Sequence, residues 1–526
     1  MFRSFILYSS AVFSFICFGS LAQNQDTIAF RFSKTITAAD LKTHLSVLAS
    51  DEYEGRETGQ KGQKMAAEYI RDHFVKCGIP PLGKLDKGYF QTFPLAVYQP
   101  QQININANGQ KFFPVKDYYS FSAVLKDTAL AINEIVFAGY GINTALYNDF
   151  EKLDLKGKTM LILDKEPLRK DGRSIISNDV KLSDWSTNYR RKYFEAINGG
   201  VKVMLVADNE LAKSYANNEH RINATKMEIQ EKNTGSFSAP LVVYITEELA
   251  NSIINSKKQS IAKLKAKISK TATPYNFTFK TNLLIDVKQE VNHINTENVL
   301  GYVEGTDLKD ELVVVTGHYD HLGKHDGVVY NGADDDGSGT VAVMEMAQAF
   351  AMAKKEGKGP RRSMLFMTVA GEEKGLLGSD YYTRNPVFPL EKTVCDLNID
   401  MIGRIDEAHK GNANYIYLIG ADKLSKELHN LSEQMNKTYS NLQLDYTYND
   451  EKDPNRYYYR SDHYNFAKNN IPVIFYFNGV HEDYHKETDE VSKIDFNKME
   501  KITRLVFFTA WEIANRTERL KMDVKK

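Results

Sequence analysis

A chain of 526 residues exceeds what one ordinary core accommodates, so two domains are the starting expectation, one of them able to sit as an insertion in the other. It is 42% hydrophobic and 26% charged, with 67 basic against 68 acidic residues, a balance that gives nucleic acid and anionic membrane surfaces no electrostatic hold. With 28 Phe and 30 Tyr it has apolar surface enough to build cores without disulfide staples.

Residues 1–22 carry one basic side chain, Arg3, then an apolar stretch over 5–18, and close on Gly19-Ser20-Leu21-Ala22. These are the parts of a secretory signal peptide. Gln23 is the expected first mature residue, and the expected localisation is periplasmic or extracellular, with no stable membrane insertion after cleavage. As a membrane anchor the stretch is too short and is interrupted by Ser9, Ser10 and Ser14. A lipoprotein reading through Cys17 is disfavoured by the bulky Ile16 before it. The remaining cysteines, Cys77 and Cys395, lie far apart and are expected to be buried thiols rather than ligands or nucleophiles.

Over residues 37–77 the pattern is helical, with Leu41, Leu45 and Leu48 on one apolar face and Ala66, Ala67, Tyr69, Ile70 and Phe74 on another. The polar break Asp51-Glu52-Tyr53-Glu54-Gly55-Arg56 separates the two helices, and Gly78 with Pro80-Pro81 stops the second. From 112 to 282 the texture changes to short apolar runs between glycine turns, among them Gly139-Tyr140-Gly141, without a cluster of histidines and carboxylates. This is expected to be a separate β-rich module. The divisions are therefore a signal at 1–22, a main domain in two segments, 36–111 and 283–518, and an insert at 112–282.

Beyond residue 298 the rhythm is strand, loop, helix. Strands are expected at 312–315, 364–369, 394–399 and 471–477, with an amphipathic helix over 341–353. Strands alternating with helices give an α/β fold, a mostly parallel central sheet flanked by helices. Polar residues follow each of these strands at once: Gly317-His318-Tyr319-Asp320-His321 and then Asp334-Asp335-Asp336-Gly337-Ser338-Gly339, Glu372-Glu373, Asp400, and Asp483-Tyr484-His485. Ligands of open α/β sheets gather at the carboxyl ends of strands, so one sheet edge collects these groups. So many carboxylates need a cation, and mixed His, Asp and Glu ligation around a shared carboxylate suits two zinc ions. Such a pair lowers the pKa of bound water from 15.7 to about 7 and clamps a tetrahedral intermediate. Of two adjacent glutamates, one can bind metal while the other moves the proton.

In these motifs, together with Asn398-Ile399-Asp400-Met401-Ile402-Gly403, Ser461-Asp462-His463 and Tyr484-His485, the sequence resembles the exported co-catalytic di-zinc aminopeptidases. Their relatives include glutamate-carboxypeptidase-like peptidases and glutaminyl cyclases. The insert resembles a protease-associated domain through Phe137-Ala138-Gly139-Tyr140-Gly141 and Leu155-Lys156-Gly157-Lys158. The resemblance implies two zinc ions per chain, with Asp335 bridging, His318 and Asp400 completing one site, and Glu373 and His485 the other. It implies Glu372 as general base, Tyr484 as stabiliser of the oxyanion, Asp320 as the group that orients His318, and a cis peptide between Asp335 and Asp336. His321, His325, His463 and His481 have no assigned place, and Arg404 and Arg460 are as consistent with ion pairs as with substrate contact. The implied activity is removal of N-terminal amino acids from peptide substrates by a metal-bridged hydroxide. The alternatives are a carboxypeptidase or dipeptidase of the same fold and, less favoured, a glutaminyl cyclase or an inactive binding homologue. Side-chain preference and oligomeric state stay open.

Overall fold

The computed structural model describes residues 25–524 apart from 122–126, 189, 231–238 and 257, so the signal expected at 1–22 lies outside the described residues. Among the described residues no helix is long and apolar enough to cross a membrane. The chain falls into two compact units, the described residues of Met1–Thr92 with Glu297–Lys526, and Phe93–Thr296. The second unit is wider than the insert expected at 112–282. Its strand Gln102–Ala107 pairs antiparallel with Asn276–Lys288, so a boundary at 112 cuts through a sheet. That pairing joins stretches far apart in the chain, which no local pattern announces.

The first unit opens with three helices, α1 (Thr27–Ser33), α2 (Ala38–Leu48) and α3 (Lys61–Lys76). Thr37 caps α2 by accepting from the Asp40 amide. After the insert come β1 (Val291–Val303), β2 (Leu308–His318), α4 (Gly339–Lys355), β3 (Arg362–Val369), α5 (Leu377–Arg384) and β4 (Thr393–Ile399). The unit finishes with β5 (Tyr415–Ile419), α6 (Lys426–Met435), β6 (Gln443–Asp445), β7 (Val473–Phe477) and α7 (Phe496–Asn515). These strands lie in the order β6-β5-β7-β4-β2-β3-β1. The middle four, β7, β4, β2 and β3, are parallel, while β1 runs antiparallel to β3 and β5 to β7.

Strand β2 demonstrates why the sheet needs cover on both faces. Val313 and Val315 enter a core with Leu41, Leu45, Ile70, Phe350 and Phe507, whereas Leu312 and Val314 enter one with Leu365, Met367, Tyr382 and Phe466. Helix α4, expected to be amphipathic, is buried on nearly every side, because α2, α3 and α7 pack over the faces that the sheet leaves free. Since the four middle strands are parallel, His318, Asp400 and the loops after β3 and β7 all emerge at one sheet edge.

The second unit carries an eight-stranded sheet with a parallel centre, and helices as well as strands, among them Glu247–Ile254 and Ile261–Thr271. Gly139-Tyr140-Gly141 is a structural turn. Asp149 accepts from the Tyr140 and Ile142 amides at 2.9 and 3.1 Å, and a Cβ on Gly139 would stand 2.1 Å from Asp149 Oδ1. None of the candidate ligands lies in this unit.

Candidate metal centre

Asp335 stands between two groups of side chains. On one side His318 Nε2 lies 3.3 Å from Asp335 Oδ1 and 3.7 Å from Asp400 Oδ1. On the other, His485 Nε2 lies 3.1 Å from Asp335 Oδ2 and 3.3 Å from Glu373 Oε2. All five expected ligands are thus brought together, with Asp335 common to both groups. Glu372 lines the same cleft, its Oε2 3.9 Å from His318 Nε2. The Asp335–Asp336 peptide is cis.

The donor set fits two zinc ions. Ligands at Zn–N and Zn–O distances of about 2.0–2.1 Å in a tetrahedron stand about 3.3 Å apart, the spacing these pairs adopt. Asp335 Oδ2 and Glu373 Oε1 are buried without hydrogen-bond partners among the described residues, as expected of atoms reserved for a cation.

One residue does more than its sequence context indicated. His321 is buried, with Nδ1 3.0 Å from Glu373 Oε1 and 3.9 Å from Asp335 Oδ2, and neither ring nitrogen has a hydrogen-bond partner among the described residues. It therefore joins the Glu373 side of the centre as a third imidazole. The other unassigned histidines stay outside. His463 stacks on Phe475, His481 pairs with Asp334 at 3.3 Å, and His325 is exposed beside the Leu322 carbonyl.

Charge in the site is unevenly distributed. Burial drives Glu372 well above the usual carboxylate range, and the pull of His318 is outweighed by Glu373, Asp462 and Asp400. Its neighbour Glu373 is held at about 2 against burial and Asp335, because His321 and His485 stabilise its charge. Burial also opposes charge on His485, yet Asp335 and Glu373 raise it to about 10. The carboxylates that draw a proton onto His485 would equally favour divalent cations.

Supporting groups hold His318, Asp335 and Asp400 in place. Asp336 accepts from the amides of Gly339 (2.8 Å), Met401 (3.1 Å) and His318 (3.1 Å), tying the start of α4 to the ends of β4 and β2. Ser461 donates to Asp400 Oδ2 at 2.7 Å and receives from Asn398 Nδ2 at 2.8 Å, so the first residue of the Ser461-Asp462-His463 motif holds the Asp400 carboxylate. Asp489 accepts from the Asp334 and Asp335 amides at 3.1 Å, a role with no sequence signal beyond its place four residues after His485. Arg56, fully buried, donates to the carbonyls of Leu48, Tyr319, Asn331 and Gly332 and so clamps the loops around His318 and Asp335. Met401 and His485 both adopt left-handed backbone, at φ 58° and 57°, a conformation uncommon for residues that carry a side chain.

Asp320 differs from expectation. His318 Nδ1 is 3.1 Å from the Asp320 main-chain carbonyl, while the Asp320 carboxylate stands 3.8 Å off. That carboxylate instead accepts from Thr58 Oγ1 at 2.6 Å and from the Glu372 amide at 3.2 Å. The backbone orients the imidazole, and the Asp320 side chain secures the turn bearing Glu372. Tyr484 stacks on His485 with ring centroids 3.9 Å apart, and Arg460 Nη2 donates to its hydroxyl at 3.4 Å. Burial, then Asp335 and Glu373, push the Tyr484 phenol upward, so it remains protonated. Arg404 is an ion pair with Asp483 at 2.8 Å, whereas Arg460 lines the cleft. Cys395 is a buried free thiol and Cys77 a half-buried one.

Residues 298–510 match the profile of peptidase family M28. The aminopeptidase NAALADL1 of Rattus norvegicus is 31% identical over 128 residues, 24% of this chain and 16% of that protein. A probable leucine aminopeptidase of Trichophyton verrucosum (strain HKI 0517) is 27% identical over 235 residues, 43% of this chain and 59% of that one. A probable glutamate carboxypeptidase, LAMP1 of Arabidopsis thaliana, is 35% identical over 105 residues, 20% and 14% of the two chains. The matched stretches therefore span less than two thirds of these curated relatives. An aminopeptidase structure from Aneurinibacillus sp. strain AM-1 shares the fold, with a TM-score of 0.53 at 18% identity over 95% of this chain and 98% of that one.

Proposed function

We propose that this chain, which carries a peptidase family M28 domain over residues 298–510, is a two-zinc aminopeptidase that removes N-terminal residues from peptides. The observation that carries the reading is the pair of ligand groups sharing Asp335, His318 with Asp400 and His485 with Glu373. Zinc bound there would supply Lewis acidity at the scissile carbonyl and acidify water. The protein's own groups do the rest. Glu372 takes the proton of the attacking water and passes it to the leaving amine nitrogen. Tyr484, kept protonated, donates its O–H to the oxygen that gains charge in the tetrahedral intermediate, while Arg460 engages its lone pair. Glu372 and Asp400 offer acceptors for the substrate ammonium group. Met401, Phe475, Phe477 and Val480 line an apolar wall of the cleft, suited to an apolar N-terminal side chain.

Arg460 at the cleft favours one second reading, recognition of a free carboxylate as in a carboxypeptidase or dipeptidase. Aminoacyl anilides compared with N-acyl dipeptides separate the two. We expect faster cleavage of the anilides and poor turnover of N-acetylated peptides. Faster cleavage of N-acyl dipeptides would overturn the aminopeptidase reading and leave the two-zinc centre standing.

A further inference from the structure

A second set of metal-binding side chains, sharing no residue with the centre above, lies where α2, α3 and α4 meet. His44 of α2, His73 of α3 and Glu345 of α4 each bring a donor atom within 4.8 Å of the other two. His73 and Glu345 are buried and the His44 side chain is 17% exposed. His44 Nε2 stands 3.4 Å from Glu345 Oε1, close to the edge of about 3.3 Å that ligands at zinc–nitrogen and zinc–oxygen distances span.

Two further features point to a ligand. One ring nitrogen of each imidazole is held, His44 Nδ1 by the Tyr69 hydroxyl at 2.8 Å and His73 Nε2 by the Met344 carbonyl at 3.1 Å, which leaves the second nitrogen of each for a ligand. This is how ligating histidines are oriented and their tautomers fixed. Both Glu345 carboxylate oxygens are buried with no hydrogen-bond partner among the described residues. A carboxylate taken out of water in that way is costly unless a cation meets it. The Cys77 thiol lies by the carbonyl-bonded nitrogen of His73, at 3.4 Å, and donates to Gln348 Oε1, so it stands apart from the donor set.

We propose that His44, His73 and Glu345 form an additional divalent-cation site with a structural role, zinc being the ion that suits two imidazoles and a carboxylate. The ion ties α2 and α3, which precede the insert in the chain, to α4, which follows it and begins directly after the loop bearing Asp335. The inference is independent of the proposed peptidase activity.

The test uses the full chain, stripped with chelator, reloaded with zinc alone and passed through zinc-free gel filtration before the metal is counted. Glu345→Gln is expected to retain one zinc fewer per chain than wild type and to unfold at lower temperature. Equal counts in the two proteins overturn the proposal, as does a wild-type ion lost during the filtration. Should the variant not fold, anomalous scattering at the zinc edge from wild-type crystals decides. A peak enclosed by the three side chains is expected, and a centre filled around Asp335 with no peak here refutes the site.

Discussion

Glu372 and Glu373 are neighbours in the chain with opposite surroundings. Two histidines stabilise charge on Glu373, while carboxylates and burial disfavour it on Glu372. Environments that split two carboxyls in this way divide their labour, one binding metal and one moving a proton. Replacing Glu372 by Gln removes the proton-transfer carboxylate and leaves every proposed metal ligand in place, so the variant should hold its zinc and its fold while kcat falls by about 10²–10⁴. Metal content measured beside kcat checks this, and loss of metal would mean that the two glutamates exchange roles. His318→Ala should cost mainly one ion, but Asp335→Asn both, because Asp335 alone serves both groups. Metal counts on the two variants distinguish shared from separate ligation.

Helix α4 and strand β4 meet at a point where no side chain fits. A Cβ on Gly339 would lie 2.2 Å from the Ile399 carbonyl and 2.4 Å from Asp336 Oδ1. Gly339→Ala must therefore drive the helix start away from the strand that delivers Asp400. Overpacking of this kind costs about 1–3 kcal/mol, and here it also opens the metal centre. The expected result is a lower denaturant midpoint with weakened zinc retention. An unchanged midpoint and full metal content would refute the close approach. The Glu54-Gly55-Arg56 turn works at the same scale, since Gly55 must pass between the Gly323 and Tyr330 carbonyls for Arg56 to reach its four acceptors.

The two units should answer differently to pH. Burial raises Asp149 in the second unit to about 7, against the amides and the tyrosine that favour its charge. Its value in the unfolded chain is about 3.9, so the folded unit binds more protons between these limits. Stability of this unit should therefore fall as pH rises through that window, by up to about 1.4 kcal/mol per pH unit. Trp185 lies in this unit's core and reports its urea unfolding in a Trp511→Phe background. Asp149→Asn should flatten the slope, and a slope that persists in the variant would assign it elsewhere. In the first unit zinc is the stronger lever. An ion present at about 1,000 times its Kd stabilises by about 4 kcal/mol, so chelation should lower Tm, measurably by calorimetry.

The candidate site residues were legible from the sequence because most of them sit within a few positions of a strand end, and a parallel sheet gathers strand ends at one edge. His318, Glu372, Glu373 and Asp400 have this property, while Asp335 and His485 lie further along the loops that leave β2 and β7. The unbroken apolar run Leu312-Val313-Val314-Val315 likewise announces a strand buried on both faces. What holds those residues in place was not legible. Arg56, Thr58, Ser461 and Asp489 act mostly across long stretches of chain through a few polar contacts each, which leave no periodicity behind. His321 looks like any histidine beside a motif until folding brings Glu373 against it, and the limits of the second unit are set by a strand pairing between residues near 105 and near 285. Local patterns record which face of an element is buried, so the sequence determined the elements, the parallel sheet and the ligand types. The orientation of each ligand depends on partners brought together only by closure of the whole domain, and that the tertiary structure alone decided.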